Sequence, residues 1–182
     1  EISGKATKEN LGNKCKYVKT DVSDKSSAFF CINDALKISG RLDILINNAS
    51  ITTFKSFIDT KPPEFDDIIE TNLRGSYLMA RTVLPIMMKK KRGHIINILS
   101  VAAHTVFTNS SAYAASKAGM LAMFNGLRAE VRKFNIKISN IMPGATDTPM
   151  WSPAARQKYS SRMMTPREVA EITIQIANQP KK

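Results

Sequence analysis

Residues 16–20 read KYVKT, an alternation of polar and apolar letters whose period of two predicts a short strand. Asp21-Val22-Ser23-Asp24 then supplies a turn and a helix N-cap. Apolar positions at Phe29, Phe30, Ile32, Ala35, Leu36 and Ile38 follow a helical period over 26–39, and Gly40 stops that helix. LDILIN, 42–47, is a nearly continuous apolar run of the kind shown by a strand buried on both faces. After a loop to residue 61, Pro62-Pro63-Glu64 opens a helix that runs to about residue 88. HIINILS, 94–100, is a second buried strand, followed by a loop and a helix over 111–134. IKISNIM, 136–142, is a third such strand, broken by PGATDTPMW. A polar and basic loop then runs to residue 162, and Thr165-Pro166-Arg167-Glu168 caps a last helix ending near 178. Strands and helices in this order imply right-handed βαβ crossovers and an α/β fold built on a doubly wound parallel sheet. No repeat, low-complexity tract or internal boundary divides residues 1–182, so a single domain is expected.

Composition narrows the class without changing the fold. The chain has 182 residues, 43% hydrophobic and 23% charged, a soluble globular balance. No run approaches the roughly 18 apolar residues of a membrane-spanning helix, so no membrane partner is expected. Cys15 and Cys31 stand alone, without CxxC spacing or histidine company. They read as reduced thiols of a cytoplasmic protein, with no disulfide framework and no metal site. Twenty-seven Lys and Arg against fifteen Asp and Glu give a net charge of +12, which favours anionic partners such as a phosphorylated cofactor or an acidic carrier protein. The basic residues are scattered and not interleaved with aromatics, so a solvated basic face is expected and a nucleic-acid surface is not.

In an open parallel sheet, ligands bind outside the carboxyl ends of the strands. Asn47-Asn48-Ala49-Ser50 follows one strand, Ser100 ends the next, and Pro143-Gly144 follows the third. Tyr113 and Lys117, one helical turn apart, share a face. A phenol with an ordinary pKa of about 10 is a poor base at neutral pH, and a neighbouring ammonium is expected to lower that value. The pair then accepts or delivers a proton, as acid–base catalysis requires. Ser100 is placed to hold a substrate oxygen. Asn72 lies inside the long helix, where asparagine is a mediocre helix former, so a tie or a polar task is expected of it. Each has a plainer reading: YxxxK occurs on many helices, Ser100 can start a turn, Asn72 can face water, and Asn47-Asn48 can be ordinary turn chemistry.

Taken together, Asp21-Val22, Asn47-Asn48-Ala49, Asn72, Ser100, Tyr113-x-x-x-Lys117 and Pro143-Gly144-x-x-x-Thr148 resemble the short-chain dehydrogenase/reductase family, over nearly the whole chain. The resemblance implies a Rossmann-like fold that binds NADP or NAD and transfers a hydride to or from a carbonyl or secondary alcohol, as in 3-oxoacyl-carrier-protein reductases and related carbonyl reductases. It implies Tyr113 as the acid–base catalyst. Lys117 lowers its pKa and holds the nicotinamide ribose, Ser100 orients the substrate oxygen, and Asn72 holds a water in a relay behind the lysine. It also implies that Asp21 and Val22 meet the adenine and that Asn47 and Ala49 lie along the adenosine. Pro143, Gly144, Thr146 and Thr148 would pass the nicotinamide. A homodimer or homotetramer through the 63–88 and 111–134 helices is implied as well.

Ser50 stands where the family's Asn-Asn-Ala-Gly motif usually has glycine, and only a local backbone adjustment is expected. No GxxxGxG-like turn occurs in the chain. The resemblance therefore implies that the first βαβ unit, with its phosphate loop, and the final strand lie outside these 182 residues, and that the NADP-or-NAD choice lies with them. The loop over 150–164 is expected to cover a small-molecule or acyl-carrier-bound carbonyl substrate, through Trp151, Tyr159, Met163 and Met164 on its apolar side and Arg156, Lys158 and Arg162 toward anions. The competing reading is a non-catalytic relative that binds a nucleotide or a partner without turnover.

Overall fold

The computed structural model describes residues 4–179; the expectations attached to Glu1 and to residues 180–182 lie outside them. Helix α1, Gly4–Leu11, precedes a 3-10 turn at Gly12–Lys14. Helix α2, Lys25–Ser39, begins where the Asp24 carboxylate accepts the Ser27 N–H at 2.6 Å. It ends at Gly40, whose φ of 64° is the left-handed conformation that glycine adopts without steric cost. Strand β1 is Ile44–Asn47. One long helix follows, made of α3, Pro62–Ile68, a π-helical stretch, Ile69–Arg74, and α4, Gly75–Lys90. Strand β2 is Gly93–Ile98, helix α5 is Ser111–Val131 and strand β3 is Ile136–Ile141. Helices α6, Pro153–Tyr159, and α7, Pro166–Ala177, complete the described chain.

The three strands are parallel in the order β1-β2-β3, with Asn47 opposite Asn97 and Asn97 opposite Asn140. Parallel neighbours need crossover helices, and the long α3–α4 helix and α5 supply them. One face of the sheet packs Leu45, Ile95 and Ile138 against Val83, Met87 and Phe124, all buried. Along β1 the burial alternates, so Leu45 points into this core while Ile44 and Ile46 stay exposed on the other face. Helix α7 lies over β2.

Two expectations are corrected. Residues 16–20 form no strand, because a strand exists only where its backbone groups find a neighbour, and here no described strand runs beside them. The segment is held instead by the Lys16–Asp34 ion pair at 3.3 Å and by the Thr20 hydroxyl donating to the Val18 carbonyl at 3.1 Å. The stretch read as a loop to residue 162 contains α6, whose start is set by Ser152 accepting the Ala155 N–H and by Pro153 at the first helical position.

Candidate active site

The carboxyl ends of β1, β2 and β3 open on a cavity of about 790 Å³ that Ser100, Tyr113, Lys117, Pro143 and Gly144 line together. Local structure puts each of them there. Ser100 follows β2 in extended backbone and caps a one-turn helix, Val101–Ala103, its Oγ accepting the Ala102 N–H at 3.1 Å. Tyr113 and Lys117 occupy the first two turns of α5 on one face. Ser116 is buried and donates its hydroxyl back to the Tyr113 carbonyl at 2.7 Å within the helix, and α5 is seated by the bond that Ser116 accepts from Asn72 Nδ2 at 2.9 Å.

Lys117 is only 2% exposed, and its Nζ donates to the Ile98 carbonyl at 2.9 Å while lying 5.6 Å from the Tyr113 ring centroid. Burial disfavours its charged form and lowers its pKa to about 8. The Tyr113 phenol is pushed above its ordinary value of 10 by burial, and the hydroxyls of Ser100 and Ser50 pull against that shift. The expected net lowering of the phenol pKa by the neighbouring ammonium is corrected: burial is the largest influence and the direction is upward. The pull against burial comes from the Ser100 and Ser50 hydroxyls, and the same burial lowers the lysine's own pKa.

Asn72 sits in the π-helical stretch and is almost completely buried. Its Oδ1 accepts the Ile51 N–H at 2.8 Å, and its Nδ2 donates to the Ile51 carbonyl and to Ser116 Oγ, both at 2.9 Å. Both amide hydrogens are thus committed, and the side chain ties the loop after β1 to α5. It does not line the cavity.

The loop after β1 divides its residues. Asn48 and Ser50 face the cavity, whereas Asn47 and Ala49 do not. The Asn47 amide donates to Asn97 Oδ1 at 2.8 Å, Asn97 donates to Asn140 Oδ1 at 2.8 Å, and Asn140 donates to Asn125 Oδ1 at 3.2 Å. This ladder of amides crosses the sheet and ends on α5. Register explains it: Asn47, Asn97 and Asn140 are direct neighbours on adjacent strands, a relation invisible in any one segment.

Asp21 and Val22 also lie away from the cavity lining. Asp21 accepts the Ser23 N–H at 2.9 Å and its hydroxyl at 2.7 Å, which hold its carboxyl below the usual carboxylate range. Val22 packs against Gly75 at the start of α4, where an added Cβ would stand 2.7 Å from Val22 Cγ2.

Past β3, Pro143, Gly144, Thr146 and Thr148 all line the cavity. The turn is pinned to the chain before α7: Met164 N–H donates to the Ala145 carbonyl and Asp147 N–H to the Met164 carbonyl, both at 2.8 Å. Arg156, expected to meet anions, is paired with Asp147 at 2.5 Å and anchors α6 instead. Of the apolar residues expected from 150–164, Trp151 lines the cavity, while Tyr159, Met163 and Met164 do not. Sequence patterning missed Phe54, Phe107 and the α7 residues Val169 and Ala170, which form much of the apolar wall. Phe54 and Phe107 lie in loops, where no period marks an inward face.

Among the described residues no cluster of His, Cys, Asp and Glu could hold a metal ion, and no helix is long and apolar enough to cross a membrane. An uncharacterised oxidoreductase of Staphylococcus aureus strain USA300 is 33% identical over 166 residues, 91% of this chain and 71% of that protein. Sepiapterin reductase of Chlorobaculum tepidum is 32% identical over 163 residues, covering 90% of this chain and 66% of the enzyme. Among solved structures, a metagenomic short-chain oxidoreductase in complex with NADP superposes with a TM-score of 0.80 at 28% identity, covering 95% of this chain and 72% of that one. The sequence model of the short chain dehydrogenases matches residues 3–159, which include the Ser100, Tyr113 and Lys117 of this cavity. The chain belongs to the short-chain dehydrogenase family.

Proposed function

We propose that this chain transfers a hydride between a nicotinamide cofactor, NADP(H) or NAD(H), and the carbonyl or secondary alcohol of an apolar substrate. The observation that carries this reading is the convergence of Tyr113, Ser100 and Lys117 on one cavity with the Pro143–Thr148 turn. The residues present suit the nicotinamide end of such a cofactor. A Cβ built on Gly144 meets nothing within 4 Å, so a flat ring can approach the backbone there. Thr148 offers a hydroxyl to a carboxamide, and Lys117 has ammonium hydrogens beyond the one given to Ile98 for ribose hydroxyls. The bound cofactor supplies or accepts the hydride. Two solved relatives, the metagenomic oxidoreductase above and ElxO, carry NADP in their crystals.

Within that reading the chain's own groups divide the work. Ser100 holds the substrate oxygen in the cavity. Tyr113 gives its phenolic proton to that oxygen in reduction and takes it back in oxidation. Lys117 holds the cofactor's ribose and, when charged, favours the phenolate. Asn72 acts at one remove, fixing Ser116 and the Ile51 backbone so that α5 and the loop after β1 keep their spacing.

The apolar wall of Phe54, Phe107, Trp151 and Val169 supports a ketone with an apolar body, free or carried as an acyl thioester. A net charge of +12 would suit an acidic carrier. Assembly as a homodimer or homotetramer through α4 and α5 belongs to the same proposal. A Cβ on Gly126 of α5 meets nothing within 4 Å, which leaves that helix open to close packing.

The test is oxidation of NADPH and of NADH by the purified chain with aromatic ketones, medium-chain ketones and a 3-oxoacyl thioester. Tyr113→Phe is expected to lower turnover by roughly 10²–10⁴-fold while NADPH still quenches protein fluorescence. Full activity in Tyr113→Phe refutes the mechanism.

A further inference from the structure

Ser50 is the position at which this chain departs from its family's glycine, and the structure gives its side chain a place in the site. Its residue lines the cavity with Ser100, Tyr113 and Lys117. Its Oγ is buried and has no hydrogen-bond partner among the described residues, and its hydroxyl pulls the Tyr113 pKa down against burial. Buried hydroxyls nearly always find partners, so a buried donor left without one is available to the titrating oxygen that shares its cavity. The backbone at Ser50 is not left-handed, so serine sits there without strain. The loop that carries it is clamped at the next residue, Ile51, by both the oxygen and the nitrogen of Asn72.

We propose that Ser50 is a further catalytic residue of this site, its hydroxyl donating a hydrogen bond to the Tyr113 oxygen when the phenol has given up its proton. The assignment rests on the function proposed above only for its catalytic consequence. In the reducing direction the O–H bond of Tyr113 breaks, its proton bonds to the substrate oxygen, and the electron pair stays on the phenolate. Ser50 keeps its own proton throughout and turns it toward that charge, as Ser100 is placed to do from the end of β2. The phenol is thus faced by three groups: Lys117 from its own helix, Ser100 from the β2 loop and Ser50 from the β1 loop. Burial lowers the Lys117 pKa to about 8, so its charge fades as pH rises through that value, whereas two hydroxyls give the phenolate a support that does not titrate.

The experiment is a pH titration of the chain by NMR, with tyrosine labelled at the ring carbon bonded to oxygen. Four tyrosines give four signals, and that of Tyr113 is the one missing in Tyr113→Phe. Ser50→Ala is expected to raise the Tyr113 midpoint by about one pH unit, the worth of one hydrogen bond to a charged acceptor, and Ser50→Thr to bring it back toward the original value. Ser50→Gly, the residue usual in the family, serves as the second variant should alanine disturb the loop, with the same rise expected. An unchanged midpoint in the folded alanine or glycine variant overturns the proposal. Because this titration is read in the chain alone, an absence of carbonyl turnover counts against the proposed function and not against Ser50.

Discussion

Phe54 and Trp151 stack with their ring centroids 4.7 Å apart and their planes 20° from parallel. One ring comes from the loop after β1 and the other from the turn before α6, so the pair closes the cavity between two segments far apart in the chain. Aromatic pairs of this kind are worth about 0.5–1.5 kcal/mol beyond the area they bury.

Removing one ring should therefore be felt in substrate affinity before it is felt in chemistry. Trp151→Ala is expected to raise KM for apolar ketones by up to about tenfold, with kcat changed much less, and Trp151→Phe to recover most of the loss. Steady-state kinetics across a series of ketones of increasing apolar size makes the comparison. An equal loss for the smallest and largest ketones would exclude an apolar clamp.

Lys117 gives a pH dependence of defined sign. Its folded pKa is lowered from 10.5 to about 8, so between those values the unfolded chain binds more protons than the folded one. Stability therefore rises with pH through that window, and the full burial penalty is present below pH 8. Lys117→Met removes the penalty and the hydrogen bond to Ile98 together. It is expected to stabilise the fold by about 2 kcal/mol at pH 7, with the advantage shrinking above pH 8 and gone near pH 10.5. Urea midpoints at a series of pH values measure this, and the same variant should lose turnover.

His94 acts at the acid end. It is buried in β2, with Nε2 2.9 Å from Ser139 Oγ, and burial first, then the charge of Lys137, lowers its pKa from 6.5. The folded state thus resists protonation that the unfolded chain accepts, and the stability present above pH 6.5 is lost as pH falls toward the folded value. His94→Gln is expected to flatten the part of the acid limb below pH 6.5, and thermal melts between pH 5 and pH 7 show it. An acid limb identical in both proteins would place the titration elsewhere.

Gly75 and Val22 form a pair whose energetics can be separated. The methyl of Gly75→Ala would stand 2.7 Å from Val22 Cγ2, so the single variant should lose about 1–3 kcal/mol from overpacking. Val22→Ala removes the nearest contact and leaves those of Val22 Cβ at 3.2 Å and its carbonyl carbon at 3.3 Å, so the double variant should be more stable than the sum of the two single losses requires. Additive losses in the denaturation midpoints would show that the contact is not what fixes glycine there.

The elements were legible in the chain because their signals are local. Asp24 and Gly40 bracket α2 through contacts within four residues of each end, and the apolar runs at β1, β2 and β3 need only burial to become strands. The spacing of Tyr113 and Lys117 is likewise a covalent matter of one helical turn, so the pair is legible within a single segment. Residues 16–20 show where this ends. Their alternating pattern suits a strand, but a strand's hydrogen bonds belong to its neighbour.

The site was legible in part, for the same reason. Which strand ends meet follows from the order of the elements, and that brought Ser100, Tyr113, Lys117 and the Pro143–Thr148 turn to one rim. Only the tertiary structure turned Asn47 into a ladder with Asn97 and Asn140, since cross-strand register is not written in one strand. Only it placed Phe54 against Trp151 and left the Ser50 hydroxyl buried beside the phenol, because loops carry no period from which an inward face can be read. The downward shift of the Lys117 pKa was decided there too. Sequence placed an amine one turn from a phenol, but how firmly that amine keeps its proton depends on the water excluded by β2 and α5 packing around it.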